Sequence, residues 1–368
     1  MITYLTAFLS SVLFARTYEV CSAPVADGTL PAGDLRHPRR IGRAGICFIA
    51  VLLAFLPVWF ITAFRYGVGT DYFYVYVPAF EVIGSGAPVK WEPLFIFMNR
   101  AIAAVGGNYP TFFALAATMT MGCLYIFFFR YCRCPSASIA LFFVSGAYFH
   151  SLNNVRQYIA MGFALLGLFS RRPFVAIPLI AFGALFHYAA VLYLAVYLVM
   201  LLPLGKKGFR VCTAIGIALS PLLALLGRLL LERTKYAYFL KIDEPSVSFM
   251  TILLNIGALA IVLGLYDGAI GDAARRGAYL QVFAVMMCVL SVAIPNEELW
   301  VRSVRLLSVP ALCLLPDFLM REARVRIRRL LLAAVLAAFT FYIAWTVVLR
   351  GGQGVLPYDT IFGKDVPF

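Results

Sequence analysis

Along the chain, apolar runs of 15 to 21 residues alternate with short polar segments, most of them basic. A helix rises about 1.5 Å per residue, so runs of this length match a hydrocarbon layer about 30 Å thick. The pattern predicts helices near residues 1–16, 44–64, 110–129, 136–152, 155–169, 173–187, 188–204, 211–231, 248–266, 279–295, 303–318 and 330–349. The fold class that follows is all-α, a polytopic integral membrane protein of about 12 transmembrane helices. That many spans use up all 368 residues as one domain, 1–368, and leave nothing for a soluble domain.

One apolar stretch breaks the alternation. Residues 94–107 are short for a crossing and carry Arg100 at their centre. Making them span would invert every later loop. Residues 66–108 are therefore expected to form one outer loop containing a re-entrant or interfacial helix.

Composition agrees with the pattern. The chain is 63% hydrophobic and 13% charged, with a mean hydropathy of +0.90, against about 25% charged in soluble domains. A net charge of +14 could suggest a nucleic-acid partner, but in a membrane protein it reads as basic cytoplasmic loops, and no nucleic acid is expected. Alternate connection of the helices puts 19 of the 31 basic residues and seven acids on one side, a balance of +12 against +2 on the other. The basic side is then the cytoplasm and both termini lie outside. Residues 1–15 are apolar without a basic start or a small-residue cleavage site, so they predict a retained first helix. The eight cysteines form no C-x-x-C and are expected to be reduced packing residues.

The polar residues that remain gather at the outer ends of the helices. Tyr148-Phe-His-Ser-Leu-Asn-Asn-Val-Arg-Gln157 places His150, Asn153, Asn154, Arg156 and Gln157 between two apolar runs. Such a cluster costs several kcal/mol unless it is used. The first outer loop opens Phe64-Arg-Tyr-Gly-Val-Gly-Thr-Asp-Tyr, where Gly67 and Gly69 permit a tight turn ahead of Asp71. Tyr72, Tyr76 and Phe80 follow at helical spacing, suited to anchoring at the interface or to stacking on a sugar. Glu92 precedes the re-entrant segment, where it could cap that helix or act in chemistry. His187 and Tyr188 lie at the next outer turn, and a lone histidine there is most often a packing residue. After residue 295 come Arg302 and Arg305, three apart on one helical face. Any single arginine at a helix end can simply snorkel. Four of them at one depth, Arg65, Arg156, Arg302 and Arg305, suit a diphosphate, which planar guanidinium groups bind two-pronged.

Several chemistries are excluded by absence. No P-loop, H-E-x-x-H, G-x-S-x-G, G-x-G-x-x-G or D-x-D pattern occurs, so no cofactor and no metal site is expected. Acids lie at helix ends and in loops rather than mid-span, and the halves show no duplication, which argues against an ion pump or transporter. A membrane acyltransferase would want a histidine facing the cytoplasm or a tunnel, whereas His187 falls outside.

These residues resemble the EpsG-type members of the Wzy-like bacterial exopolysaccharide and O-antigen polymerases. The likeness rests on Phe64-Arg-Tyr-Gly-Val-Gly-Thr-Asp-Tyr72, on Glu92-Pro with Asn99, on Ser151-Leu-Asn-Asn-Val-Arg-Gln157 and on Leu185-Phe-His187. The tail Leu356-Pro-Tyr-Asp-Thr-Ile-Phe362 is similar to the family's ending, and the order of the pieces spans almost the whole chain. The chain departs from the family near Arg302, with two arginines and no following tyrosine, leaving open which arginine corresponds. The resemblance implies a metal-independent, GT-C-like glycosyltransferase of the bacterial inner membrane, working on undecaprenyl-diphosphate-linked glycans at the periplasmic face. It also implies a chain-length regulator protein as a candidate partner. An O-antigen ligase would use the same donor and differ only in acceptor. Under this reading Arg156, Arg302, Arg305 and Arg65 hold the diphosphate. Asp71, Glu92 or His187 is the base, with Asp71 ranked first by analogy with other lipid-donor transferases. Tyr72, Tyr76, Asn153, Asn154, Gln157 and Tyr188 would contact sugar.

Overall fold

A computed structural model describes residues 1–23, 38–202, 204–233, 237, 247–267, 272–293, 298–320, 322 and 324–364. Among them the chain is helical, apart from turns and one isolated antiparallel bridge between Arg65 and Thr360. The cytoplasmic assignments of Asp27, Asp34, Arg36 and Arg321, and the outer-loop residues Pro295 to Glu297, lie outside the described residues.

The helices are α1 (Ile2–Ser22), α2 (Pro38–Ala63), α3 (Val77–Gly84), α4 (Pro93–Ala104), α5 (Tyr109–Tyr131), α6 (Pro135–Val144), α7 (Ala147–Asn153) and α8 (Val155–Leu168). The second half comprises α9 (Pro173–Ala184), α10 (Leu192–Met200), α11 (Lys206–Leu231), α12 (Phe249–Leu265), α13 (Asp272–Ala293), α14 (Glu298–Cys313), α15 (Leu315–Leu319) and α16 (Val325–Ile343). Their starts follow local chemistry. Proline, with its fixed φ and missing N–H, stands in the first turn of α3, α4, α5, α6, α9 and α15. Asn108 and Ser248 cap α5 and α12 by accepting the N–H groups of Thr111 and Thr251 at 3.2 Å.

Among the described residues, four helical stretches are long and apolar enough to cross a membrane by length and composition: Arg43–Ala63, Tyr109–Tyr131, Asp272–Val292 and Val325–Leu349. Several expected spans differ from the sequence reading, and α13 for one starts seven residues before the expected 279, at Asp272. The run 136–152 is divided into α6 and α7, because Gly146 adopts φ 79°. The run 188–204 opens as a 3₁₀ turn, Tyr188–Val191, before α10. The run 303–318 starts earlier, at Glu298, and is divided before Pro316 into α14 and α15.

The helices sort by burial. Those around α5 and α13 form the interior, and glycines let some backbones nearly touch: a Cβ on Gly183 of α9 would lie 2.6 Å from the carbonyl oxygen of Ala160 in α8. By contrast α2 leaves Phe48, Ile49, Leu52, Leu53, Leu56 and Phe60 exposed, and α16 leaves Leu330 and Phe341 exposed. Continuous apolar faces of this kind are covered by lipid tails rather than water. All eight cysteines are free; Cys123, Cys132, Cys288 and Cys313 are buried, whereas Cys212 is exposed and so does not pack as expected.

The loop at 66–108 is more ordered than a plain loop. A π-helical turn, Tyr72–Tyr76, leads into α3, and α4 lies against α5 with Phe95, Met98, Asn99 and Ile102 buried. Arg100, whose charge argued against a crossing, sits on the exposed side of α4 and reaches the carbonyl oxygens of Gly86 and Ala87 at 3.5 and 3.4 Å.

Candidate active site

The turn after α2 is shaped by Gly67 and Gly69, with φ of 62° and 100°. At Gly69 a Cβ would lie 2.6 Å from Asn153 Oδ1, so only glycine allows the loop to approach α7 this closely. Arg65 closes the turn by donating to the Val68 carbonyl at 2.9 Å. Its guanidinium lies over the rings of Phe113 and Tyr72, 4.9 and 5.7 Å from their centroids, and the residue is 2% exposed. Arg65, expected among the diphosphate ligands, is thus buried in the loop and does not line the cavity described below.

Asp71 follows the turn. Its N–H donates to Asn153 Oδ1 at 3.1 Å, and Asn153 Nδ2 donates to both the backbone and side-chain oxygens of Gln353 at 2.9 Å. Asn153 therefore ties the first outer loop to the C-terminal tail. The tail adds further bonds: Gly69 N–H to the Gly354 carbonyl at 2.9 Å, Thr70 N–H to Gln353 at 3.1 Å and Tyr66 N–H to Asp359 at 3.0 Å. The Tyr4 hydroxyl donates to the Val355 carbonyl at 2.9 Å, so α1 holds the tail as well.

A cavity of about 510 Å³ opens beneath this junction. Its polar wall carries Asp71, His150, Asn153, Asn154, Arg302 and Arg305, while Leu254, Val309, Leu312, Phe339 and Val347 line its apolar part. Arg302 and Arg305 share one face of α14, as their spacing predicts, and both line the cavity. Gln157 donates to the Arg302 carbonyl at 2.7 Å and does not itself line the cavity. No carboxylate among the described residues pairs with Arg305. Burial pushes the Asp71 carboxyl above its ordinary value, against the opposing pull of the Thr70 hydroxyl and of Arg302, Arg156 and Arg65.

Beside the cavity lies an ionic triad. Glu92 receives Arg156 at one oxygen and His187 Nδ1 at the other, the latter at 2.9 Å. Arg156 also stacks 4.1 Å from the Trp91 centroid. Glu92 occupies the N-cap position of α4 but makes no capping bond, so the capping role is not realised. Burial drives its carboxyl upward, yet the His187 bond and the Arg156 charge together outweigh this and hold it below its ordinary value. Burial lowers His187 below its ordinary value, against the bond its Nδ1 makes to Glu92 and the charge of that carboxylate. The triad joins α4, α8 and the α9–α10 turn.

The tyrosines fall elsewhere than expected. Tyr72 stacks on Phe113 at 4.2 Å and is fully buried, and Tyr76 is buried against Phe112 and Arg156. Neither offers a ring face to a sugar. Tyr188 is 45% exposed but lies off the cavity wall. Two residues without an assigned role do line it. His150 belongs to the conspicuous 148–157 stretch, and its Nδ1 is buried without a hydrogen-bond partner among the described residues. Gln353 has φ 72°, a left-handed backbone that a non-glycine residue rarely adopts; the surrounding Gly351-Gly-Gln-Gly354 run is its only sequence signal. Among the described residues no group of three or more His, Cys, Asp or Glu is placed to hold a metal ion.

The fold and the site together define a helical membrane protein with a cationic, partly polar chamber at one end of its bundle. A model of the EpsG family matches residues 48–360, most of the chain, and the protein belongs to that family, a Wzy-like polysaccharide polymerase family. No curated protein and no solved structure matches the chain.

Proposed function

We propose that the protein is a metal-independent glycosyltransferase that polymerises undecaprenyl-diphosphate-linked repeat units, moving the growing glycan onto the outermost sugar of the next lipid-linked repeat. The observation that carries this reading is the sharing of one cavity by Asp71, Arg302 and Arg305. Of the three candidate bases only Asp71 lines that wall. Glu92 is held by two partners, and His187 stands beside the cavity, bonded to Glu92.

In the reaction an acceptor hydroxyl oxygen attacks the anomeric carbon of the donor glycan. The bond from that carbon to the diphosphate oxygen breaks, and the hydroxyl proton passes to Asp71. Burial suits the carboxylate to this task by raising its proton affinity. Arg302 and Arg305 stabilise the charge that grows on the leaving diphosphate, which departs as undecaprenyl diphosphate. Asn154 offers its amide to sugar hydroxyls, while Asn153, committed to Asp71 and Gln353, positions the loop, and the apolar part of the cavity suits the first isoprenyl units. Arg156 holds Glu92 in place and adds positive potential from behind the wall.

The topology proposed with this chemistry has about twelve spans in a GT-C-like arrangement of the inner membrane, with the cavity and both termini periplasmic. Its support is that the cavity wall combines residues of the expected outer loops, such as Asp71, Val301, Arg302 and Gln353, with residues of the spans that adjoin those loops. Purified protein given a synthetic lipid-linked repeat should form longer lipid-linked glycans and release undecaprenyl diphosphate in magnesium-free chelator. Transfer only to a lipid A core acceptor would make it a ligase, and no transfer to either acceptor would refute the reading.

A further inference from the structure

The other end of the bundle holds a second cavity, about 980 Å³ in volume, which the transfer reaction leaves without a role. It is walled by the C-terminal end of α5, the α8–α9 turn, the start of α13 and α15. Arg130, Arg133, Arg171, Arg172 and Arg276 face it against two acids, Asp272 and Asp317, an excess of three positive charges when both acids are ionised. The first turns of α9 and α13 also open onto it through Val175 and Ala273, so the positive ends of two helix dipoles face the cavity.

These cations are not all committed. Asp272 takes Arg171 at 3.1 Å, and Arg276 is spent on the Leu168 and Ser170 carbonyls. Arg130, Arg133 and Arg172 pair with no carboxylate among the described residues. At the floor Asp317, 1% exposed, accepts the Arg133 N–H at 2.9 Å through Oδ1. Its Oδ2 is buried with no partner among the described residues. The Cys134 N–H is also directed at this carboxylate, and a buried acceptor oxygen left without a partner favours a ligand that can donate to it.

We propose that this cavity binds a phosphoryl group carrying a neighbouring hydroxyl, with Arg130, Arg133 and Arg172 on the phosphoryl oxygens and the hydroxyl donating to Asp317 Oδ2. Three guanidinium groups alone would accept any anion. The unmatched acceptor among them selects a ligand that is anionic and also a donor. A phosphoglycerol unit has this chemistry, whether as a lipid head group or as a free glycerol phosphate. The inference is independent of the transfer reaction, because binding is measured without glycan.

The test uses full-length protein and native mass spectrometry with phosphatidylglycerol, phosphatidic acid and phosphatidylcholine, alongside a thermal-shift titration with glycerol 1-phosphate. Wild type should retain phosphatidylglycerol over phosphatidylcholine by about tenfold or more, as charge-assisted hydrogen bonds predict. Arg133→Gln/Arg172→Gln should lose that preference. The charge-matched Arg326→Gln/Arg329→Gln, at exposed positions of α16 off the cavity wall, should keep it. Asp317→Asn retains an oxygen for the Arg133 N–H while replacing the unmatched acceptor with a donor. It should still bind phosphatidic acid yet lose the preference for phosphatidylglycerol over it. Stabilisation by glycerol 1-phosphate, lost in the same variants, would name a soluble source; lipid retention without it would name the head group. Equal behaviour of the two arginine double variants, no binding of either ligand, or an unchanged preference in Asp317→Asn would overturn the proposal.

Discussion

Asn153 Oδ1 accepts the backbone N–H of Asp71 at 3.1 Å, and through this bond a residue of α7 sets the position of the carboxylate in the cavity wall. The other end of the same amide donates to Gln353. One side chain thus couples the first outer loop, the polar 148–157 stretch and the tail.

Asp71→Asn is expected to slow transfer by about 10²–10⁴-fold, the usual worth of a general base. It should not lower the thermal unfolding temperature. Burial disfavours the Asp71 charge, so a neutral isostere relieves a cost that the folded state carries at pH 7. A variant with full activity but reduced stability would mark Asp71 as a structural ligand of the loop.

Acid should affect rate and stability through different residues. The Asp71 pKa is raised above 3.8, so the acid limb of the rate should fall at a pH above that ordinary value and vanish in Asp71→Asn. Stability has the opposite dependence on pKa direction. His187 and Glu92 both have folded values depressed below 6.5 and 4.5. The unfolded chain therefore binds protons that the native state does not, and the stabilisation is complete above about pH 6.5 and lost as pH falls. Unfolding temperature followed from pH 8 to pH 4 checks this. A flat profile in wild type would contradict the triad.

Glu92→Gln should destabilise by about 3–5 kcal/mol, because it strands Arg156 without its counter-charge in a mostly buried site. The double variant Glu92→Gln/Arg156→Gln should recover part of that loss, read as thermal unfolding in detergent. If Glu92→Gln unfolds like wild type yet is inactive, the carboxylate is the base and Asp71 is not.

The division between what the sequence reveals and what it conceals runs along physical lines. Hydrophobic runs predict the long helices well, since α2, α5, α13 and α16 each fill a run of membrane-crossing length. Breaks inside runs are harder to read, because Gly146 and Pro316 sit in stretches as apolar as their neighbours. At the cavity, the spacing of Arg302 and Arg305 agrees with their placement on one wall, and Asp71 follows its glycine turn onto the same wall. Arg65 and Tyr72 are buried, which the sequence does not reveal because residue type does not say which way a side chain faces. Arg65 turns inward onto Phe113, and Tyr72 fills the core beside it. Gln353 was hidden, since its contacts reach residues 69 to 71 and Asn153 from the far end of the chain.

Arg302→Lys and Arg305→Lys should each reduce transfer by about 10²-fold at constant stability, as loss of one transition-state donor does elsewhere. A lysine keeps the charge but loses the planar pair of donors that matches phosphate oxygens. Full activity in both lysine variants would return the two arginines to the snorkelling class.

Gln353 allows a sharper test of how the tail shapes the site. Its φ of 72° is a conformation that glycine adopts freely, whereas a residue with a Cβ gives up about 1–2 kcal/mol there. Its side-chain oxygen receives Asn153 Nδ2, and its backbone oxygen receives both Asn153 Nδ2 and the Thr70 N–H. Gln353→Gly keeps the backbone acceptor and relieves the strain, while Gln353→Ala keeps the strain and removes the side chain. The glycine variant should unfold at a higher temperature than the alanine variant. Both should transfer more slowly than wild type, because Asn153 loses one of the two anchors that orient it toward Asp71. Equal activity of wild type and Gln353→Gly would show that the backbone bonds alone hold the loop. The strained conformation would then serve to bring residues 353 and 354 against Gly69 and Thr70, with no part in setting the carboxylate.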